Sequence, residues 1–248
     1  MYVCVYVRKQ VESVQTLADA FRKTIDALAK EGKLSLLIEG MLKHAGQEHV
    51  QAAACEALAG LAASDDNQRV KVAAEGGIGA IVGAMQRQPS ANVQAAACRA
   101  LWYLTINNDA NKVRIAAEGG VGAIVKALKN HPADAKLQEA ACYALWNLTY
   151  NNDANQVRIA AEGGVGAIVS AMQHHPTHAK IQETACKALL NLMCINQCGE
   201  IVLNNTNNKA KAKSAGAEDA VKRAMALQDA TALTKECGQI VLKNLKNV

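Results

Sequence analysis

Polar and apolar residues alternate along the chain at a helical period, and the alternating blocks themselves recur. Within LQEAACYALWNLT, which starts at Leu137, a turn of about 100° per residue puts Leu148, Ala141, Leu145 and Cys142 on one side. Asn147, Tyr143, Tyr150 and Lys136 fall on the opposite side. The small apolar set predicts a face turned to the core, and the polar and aromatic set a face turned away from it. The same division applies to VQAAACRALWYL from Val93 and IQETACKALLNLM from Ile181. It assigns His49, Glu56 and Gly60, then Asn92, Arg99 and Tyr103, then Lys180, Lys187 and Asn191 to the outward face, with Glu139 and Glu183 at its margin. Trp102 and Trp146 fall between the two faces, where a large ring packs on a neighbouring layer or walls a ligand.

The blocks are copies of one unit. AAEGGIGAIVGAMQ, AAEGGVGAIVKALK and AAEGGVGAIVSAMQ begin at Ala73, Ala116 and Ala160, and a fainter copy, EGKLSLLIEGMLK, begins at Glu31. Pro89, Pro132 and Pro176 share one position, as do Gln51, Gln94, Gln138 and Gln182. A period of 43–44 residues lies in the range of helical solenoids, whose units bury their apolar faces only by stacking on neighbours. Within one period the punctuation predicts three helices. Asn107 to Asp109 and Asn151 to Asp153 supply N-cap oxygens for a short helix, DANKVRIAAE in one copy. The Gly119–Gly120 pair breaks that helix and turns the backbone into VGAIVKALKN. The Pro132 region ends this second helix, and a long third helix runs from about Asp134 to Tyr150. The recurring GGVGAIV lacks the third glycine and the preceding strand of a phosphate loop, so it reads as a helix–helix turn.

The third-helix pattern, together with the preceding AAEGGVGAIV, resembles armadillo repeats from residue 31 to about 195. The resemblance implies an all-α, right-handed α-α superhelix of about five repeats of three helices. The chain then divides into an extension over 1–10, repeats over 11–63, 64–106, 107–150 and 151–195, an insertion over 196–206 and a diverged capping repeat over 207–248. In the last of these, SAGAEDAVKRAM resembles a second helix and ECGQIVLKNL a third. The resemblance also implies that the outward face of the third helices lines a concave groove. In armadillo proteins the asparagine of L-x-N-L bonds the backbone of an extended peptide, and a primary amide suits that task because it donates and accepts at once. Asn147, Asn191 and Asn244 match that position, while Gly60 and Tyr103 replace it in the first two repeats. Importin-α-like members carry a tryptophan four residues before this asparagine. Here Glu56, Arg99, Tyr143 and Lys187 stand there, so the reader of nuclear localisation signals is not reproduced.

Composition fits a packed helical chain. Half of the 248 residues are apolar, yet only eight are aromatic, so aliphatic residues must fill the core. No apolar run is long enough to span a bilayer, and MYVCVYV is too short for the apolar part of a secretory signal. That segment either packs over the open end of the first repeat or is a remnant of a longer chain. Of the eight cysteines, Cys55, Cys98, Cys142 and Cys186 share one repeat position and read as buried free thiols. Unpaired thiols point to a reducing compartment, cytoplasm or nucleus. The lysines Lys209, Lys211 and Lys213 read as a polar cap surface rather than a nuclear signal.

No nucleophile, base and orienter recur together, so no enzyme is expected. His174, His175 and His178 lie in an interhelical loop without a cysteine pair, and Cys194 and Cys198 lack a second pair, so neither a metal nor another cofactor is expected. Net charge is +5. The expected function is a non-enzymatic interaction scaffold that binds an extended, acidic protein or peptide segment. Arg99, Lys136, Lys180 and Lys187 would select acidic or phosphorylated residues, Tyr103, Tyr143 and Trp146 would flank side chains, and Asn147 and Asn191 would hold the backbone. The same surface read as a polyanion or nucleic-acid site is an alternative, disfavoured by the interspersed Glu56, Glu139 and Glu183. A regulatory solenoid, metabolite-sensing or autoinhibitory, within a larger protein is another.

Overall fold

The computed structural model describes Asp19, residues 22–193 and residues 205–246. The expected extension over 1–10, Cys194 and Cys198 lie outside the described residues. So does the expected insertion over 196–206, apart from its last two positions, which open a helix. Every regular element among the described residues is a helix. A first helix, α1, covers residues 22–30. It is followed by α2 (Leu34–Lys43), α3 (Glu48–Ser64), α4 (Asp66–Ala74), α5 (Gly77–Arg87), α6 (Ala91–Thr105), α7 (Asp109–Ala117) and α8 (Gly120–Asn130). The remainder are α9 (Ala135–Thr149), α10 (Asp153–Ala161), α11 (Gly164–His174), α12 (Ala179–Met193), α13 (Asn205–Ser214), α14 (Ala217–Ala226) and α15 (Ala232–Lys246). They form five triplets of short, medium and long helices. The long members, α3, α6, α9, α12 and α15, pack each against the next and make the most extensive helix contacts in the molecule.

The helix ends follow from local chemistry. Asp134 precedes α9 and its carboxylate accepts the Leu137 N–H at 3.0 Å, satisfying one of the free donors of the first turn. Asn108 and Asn152 cap α7 and α10 in the same way. Just before them, Asn107 and Asn151 take positive φ of 50° and 51°, a conformation that asparagine tolerates better than most residues. The short helices α4, α7, α10 and α13 each end in a glycine of positive φ: Gly76, Gly119, Gly163 and Gly216 lie between +82° and +86°. At the next position, a Cβ on Gly120 would lie 2.6 Å from Ile115 Cγ2 and 2.9 Å from its carbonyl oxygen, so only glycine lets α7 and α8 meet so closely.

Three rows of side chains bond backbone groups and recur in phase. The Gln51, Gln94, Gln138 and Gln182 amides each donate to two carbonyls at the end of the second helix; Gln138 reaches Leu128 at 2.8 Å and His131 at 2.9 Å. Carbonyls of a last helical turn lack intrahelical partners, so this glutamine acts as an internal C-cap. Asn111 and Asn155 donate to the end of the preceding third helix and to the preceding short helix, and Asn208 donates to Leu192. Arg114, Arg158 and Lys211 reach back to the Ala73, Ala116 and Ala160 carbonyls. The last two rows join neighbouring repeats.

The core among the described residues holds no aromatic ring; Ala, Val, Ile, Leu, Met and Cys fill it. Leu58, Leu101, Leu145 and Leu189 recur in it without solvent exposure. Cys55, Cys98, Cys142 and Cys186 are buried free thiols beside them. Burial pushes the Cys55, Cys142 and Cys186 thiols up to about 12, which keeps them protonated and unreactive at neutral pH. No described helix is long and apolar enough to cross a membrane.

Candidate functional site

The third helices form a continuous wall, and two clefts open along it. One, of about 640 Å³, is lined by Glu48, His49 and Glu56 of α3, Asn92 and Arg99 of α6, and Lys136 of α9. This cleft spans three successive third helices. The second, of about 610 Å³, lies at the C-terminal ends of α6 and α9 and is lined by Trp102, Tyr143, Trp146, Asn147 and Tyr150 with Asn107, Asp109 and Lys112. Along α9, Leu145 and Leu148 are fully buried while Tyr143, Asn147 and Tyr150 reach solvent.

All five described aromatic residues, Trp102, Tyr103, Tyr143, Trp146 and Tyr150, gather on this wall, and each is partly exposed or exposed. Trp102 stacks on Tyr103 with centroids 4.5 Å apart and on Tyr143 at 4.1 Å, the latter pair only 12° from parallel. Tyr143 meets Trp146 at 6.2 Å and 50°. The Lys187 ammonium sits 4.4 Å from the Trp146 ring centre, a cation–π distance. A ladder of rings thus runs across α6 and α9 to α12. Both tryptophans pack on the neighbouring layer and face a cleft at once, because the rings bridge successive helices. Burial, then the nearby Glu139 and Glu183 carboxylates, raise the Tyr143 phenol, so it stays protonated.

The basic residues divide into two groups. Lys136 and Lys180 are exposed at equivalent positions in the first turns of α9 and α12, and the Lys180 charge helps to lower the Glu183 carboxyl. Arg99, also exposed, lies 3.6 Å from Glu56, which Arg22 contacts as well. Lys187 differs from the expectation of a solvated groove cation. It is only 9% exposed and donates to Glu183 at 2.6 Å. Burial raises Glu183, but the Lys187 hydrogen bond and charge outweigh it and hold this carboxyl below its usual value. Asn191 is likewise engaged: its amide donates to Thr149 Oγ1 at 3.1 Å and lies 3.5 Å from the Trp146 carbonyl, closing α12 against α9. Its place in the ladder makes it a strut between repeats. Asn147 lines the second cleft, and among the described residues its side chain has no such bond. Asn244 donates to Ile240 one turn back in α15.

Lys112 and Asp109 had no place in the expected site. They lie on the short helix α7, and only the turn at Asn107 swings that helix against the ends of α6 and α9. Lys112 is buried, bonded to Asp109 at 2.8 Å and to the Tyr150 carbonyl at 3.1 Å, with the Tyr150 ring 5.5 Å away. The histidines of the α11–α12 loop are tied to the chain: His175 to the Pro132 carbonyl at 2.7 Å, His178 near Glu139 at 3.6 Å and His174 to the Ser170 carbonyl at 2.8 Å.

Residues 65–106 and 108–150 match the Armadillo/beta-catenin-like repeat family. The chain has the fold of an armadillo-repeat solenoid. Comparison with curated proteins gives no match. Among solved structures, a designed armadillo repeat protein is 21% identical with a TM-score of 0.72, covering 93% of this chain and 94% of its own. A second designed armadillo repeat protein, in complex with the peptide (KR)4, is 19% identical with a TM-score of 0.68 over 96% of this chain and 94% of its own. The armadillo-repeats-only protein of Plasmodium falciparum is 14% identical with a TM-score of 0.69, covering 92% and 97% of the two chains. At these identities the likeness establishes the armadillo fold. It leaves the ligand to be argued from the residues of the wall.

Proposed function

We propose that this armadillo solenoid is a non-enzymatic interaction scaffold whose third-helix wall binds an extended, acidic segment of a partner protein. The carrying observation is the gathering of all five described aromatic side chains, partly exposed or exposed, on the wall of third helices along which both clefts open. Buried rings stabilise a core, so rings left half open along a cleft are available to a ligand. Asn147 offers the unengaged amide for the ligand backbone, and Tyr103, Tyr143 and Trp146 flank its side chains. Lys136 and Lys180, together with the loosely paired Arg99, select acidic or phosphorylated residues. Lys187 and Asn191 contribute by holding Trp146 and α12 in place.

A designed armadillo protein binds a peptide of alternating lysine and arginine. Exposed cations on this wall argue for the opposite ligand charge. Five buried free thiols suit a reducing compartment, so we place the scaffold in the cytoplasm or nucleus. The test is a random peptide library selected on the intact chain, with each enriched peptide titrated against Lys136→Glu/Lys180→Glu and against Lys126→Glu on α8. The wall variant should lose at least tenfold in affinity and the α8 variant nothing. Equal affinity for all three proteins rejects the wall, and enrichment of basic peptides rejects the acidic ligand. Binding of single-stranded oligonucleotides with a steep salt dependence favours the polyanion reading instead.

A further inference from the structure

Successive repeats are tied together at one loop position, and the tie is missing at a joint in the middle of the stack. Gln88, His131 and His175 each follow a second helix and stand directly before Pro89, Pro132 and Pro176. The Gln88 amide donates to the Ala45 carbonyl of the repeat before it at 2.8 Å, and the His175 imidazole donates to the Pro132 carbonyl at 2.7 Å. By phase the partner of His131 is the Pro89 carbonyl, yet its imidazole bonds nothing among the described residues. The helix face beside the tie differs in the same way. Arg87 folds back over Gly83 on α5, its guanidinium nitrogens 2.9 Å from where a Cβ there would stand, and His174 bonds Ser170 on α11. The same two positions on α8 are Lys126 and Asn130, exposed and without a bonded partner among the described residues. Here a cavity of about 330 Å³ opens between α5 and α8, at the small end of the range of ligand sites, about 300–1,000 Å³.

Independently of the third-helix wall, we infer that this cavity binds a small organic anion, with a phosphate or carboxylate head on a short apolar body. Gln86, Lys126, Asn130 and His131 line it, so an ammonium, two primary amides and an imidazole offer hydrogen-bond donors to one space. An oxyanion accepts several such bonds at once, and bonds to an ionised partner are about twice as strong as neutral ones. Lys126 and His131 are the titratable groups of the lining, and no carboxylate belongs to it. Of the carboxylates nearby, Glu162 lies beside Gly122, and Glu118 lies beside Gly79 and is paired with Arg114 at 2.6 Å. Met85, Pro89 and Ala123 supply apolar wall for the body of the ligand. The repeat pattern shows why the site is particular to this joint. Writing serine and histidine at the α8 positions, as α11 has them, pairs these side chains with each other and withdraws the ammonium.

The test titrates the intact chain with phenyl phosphate, phenylacetate and benzyl alcohol while its amide NMR spectrum is followed. At least one of the two anions should shift the Gly119, Gly122, Lys126 and His131 amides to saturation, the tighter one naming the head group, and benzyl alcohol should not. Lys126→Ser/Asn130→His, checked for unchanged helicity, should weaken the better anion by about tenfold or more, the loss expected for one hydrogen bond to a charged group. Lys136→Ser on the third-helix wall should leave its affinity unchanged. Neither anion saturating these amides overturns the inference. So does benzyl alcohol binding as tightly as the anions, or equal affinity in the α8 double variant.

Discussion

At the residue scale the fold depends on polar side chains placed once per repeat. Gln138 holds two carbonyls at the end of α8 that have no other partner in the helix. Gln138→Ala therefore leaves the Leu128 carbonyl without its side-chain partner in the interior, while the His131 carbonyl keeps the Asp134 N–H at 3.2 Å, and should cost about 1–3 kcal/mol in urea unfolding. The position was visible in the sequence as a glutamine recurring in phase, but its task was not, because the carbonyls it meets belong to a helix ten residues back. Glu183 gives a pH signature. Its carboxyl is held below the usual 4.5 by Lys187, so the pair stabilises the fold fully above that value. The contribution fades as pH falls through the lowered folded value. Between about pH 5 and pH 3 the wild-type melting temperature should drop further than that of Glu183→Gln. By angle alone Lys187 belongs to the outward face, yet its side chain is buried. What a helical wheel omits is that Glu183 lies one turn away on the same helix and Trp146 on the next, so two neighbours cover the ammonium.

At the element scale, helix type and order were legible because punctuation and period agreed. The long helix expected from about Asp134 to Tyr150 runs Ala135–Thr149, with Asp134 as its cap. Glycine pairs marked the turns for a steric reason, and Gly120→Ala should lower stability measurably, since its Cβ meets Ile115 across the α7–α8 turn. What remained hidden was contact between elements. The stacking of Trp102 on Tyr143 joins residues of two repeats, and the Lys112–Tyr150 contact depends on the left-handed turn at Asn107. Buried thiols carry a further expectation: Cys55, Cys98, Cys142, Cys186 and Cys237 should resist a thiol reagent in native buffer and react after unfolding.

At the scale of the whole molecule, each repeat contacts only its neighbours, so stability accumulates along the stack. Ending the chain after Met193 removes α13, α14 and α15 and uncovers Leu189 and Leu192, which are buried in the intact chain. The shortened protein should unfold at lower denaturant concentration and with a smaller slope. The same linear architecture turns equivalent residues into a row, which is why a shared face of the third helices was readable from a repeat of one helix. The charge of that face was harder to read, since intrachain carboxylates cover Lys112 and Lys187 while Lys136 and Lys180 stay exposed. The central claim is that the wall of third helices, with its aromatic ladder, is where a partner binds. The indole N–H signals of Trp102 and Trp146 in an amide NMR spectrum test it most directly, because the chain has only these two tryptophans. Saturation with a peptide selected blind on the intact chain should shift both signals, along with amides of α6, α9 and α12. Both signals unmoved, while amides of the second helices α5 and α8 shift, would contradict the account.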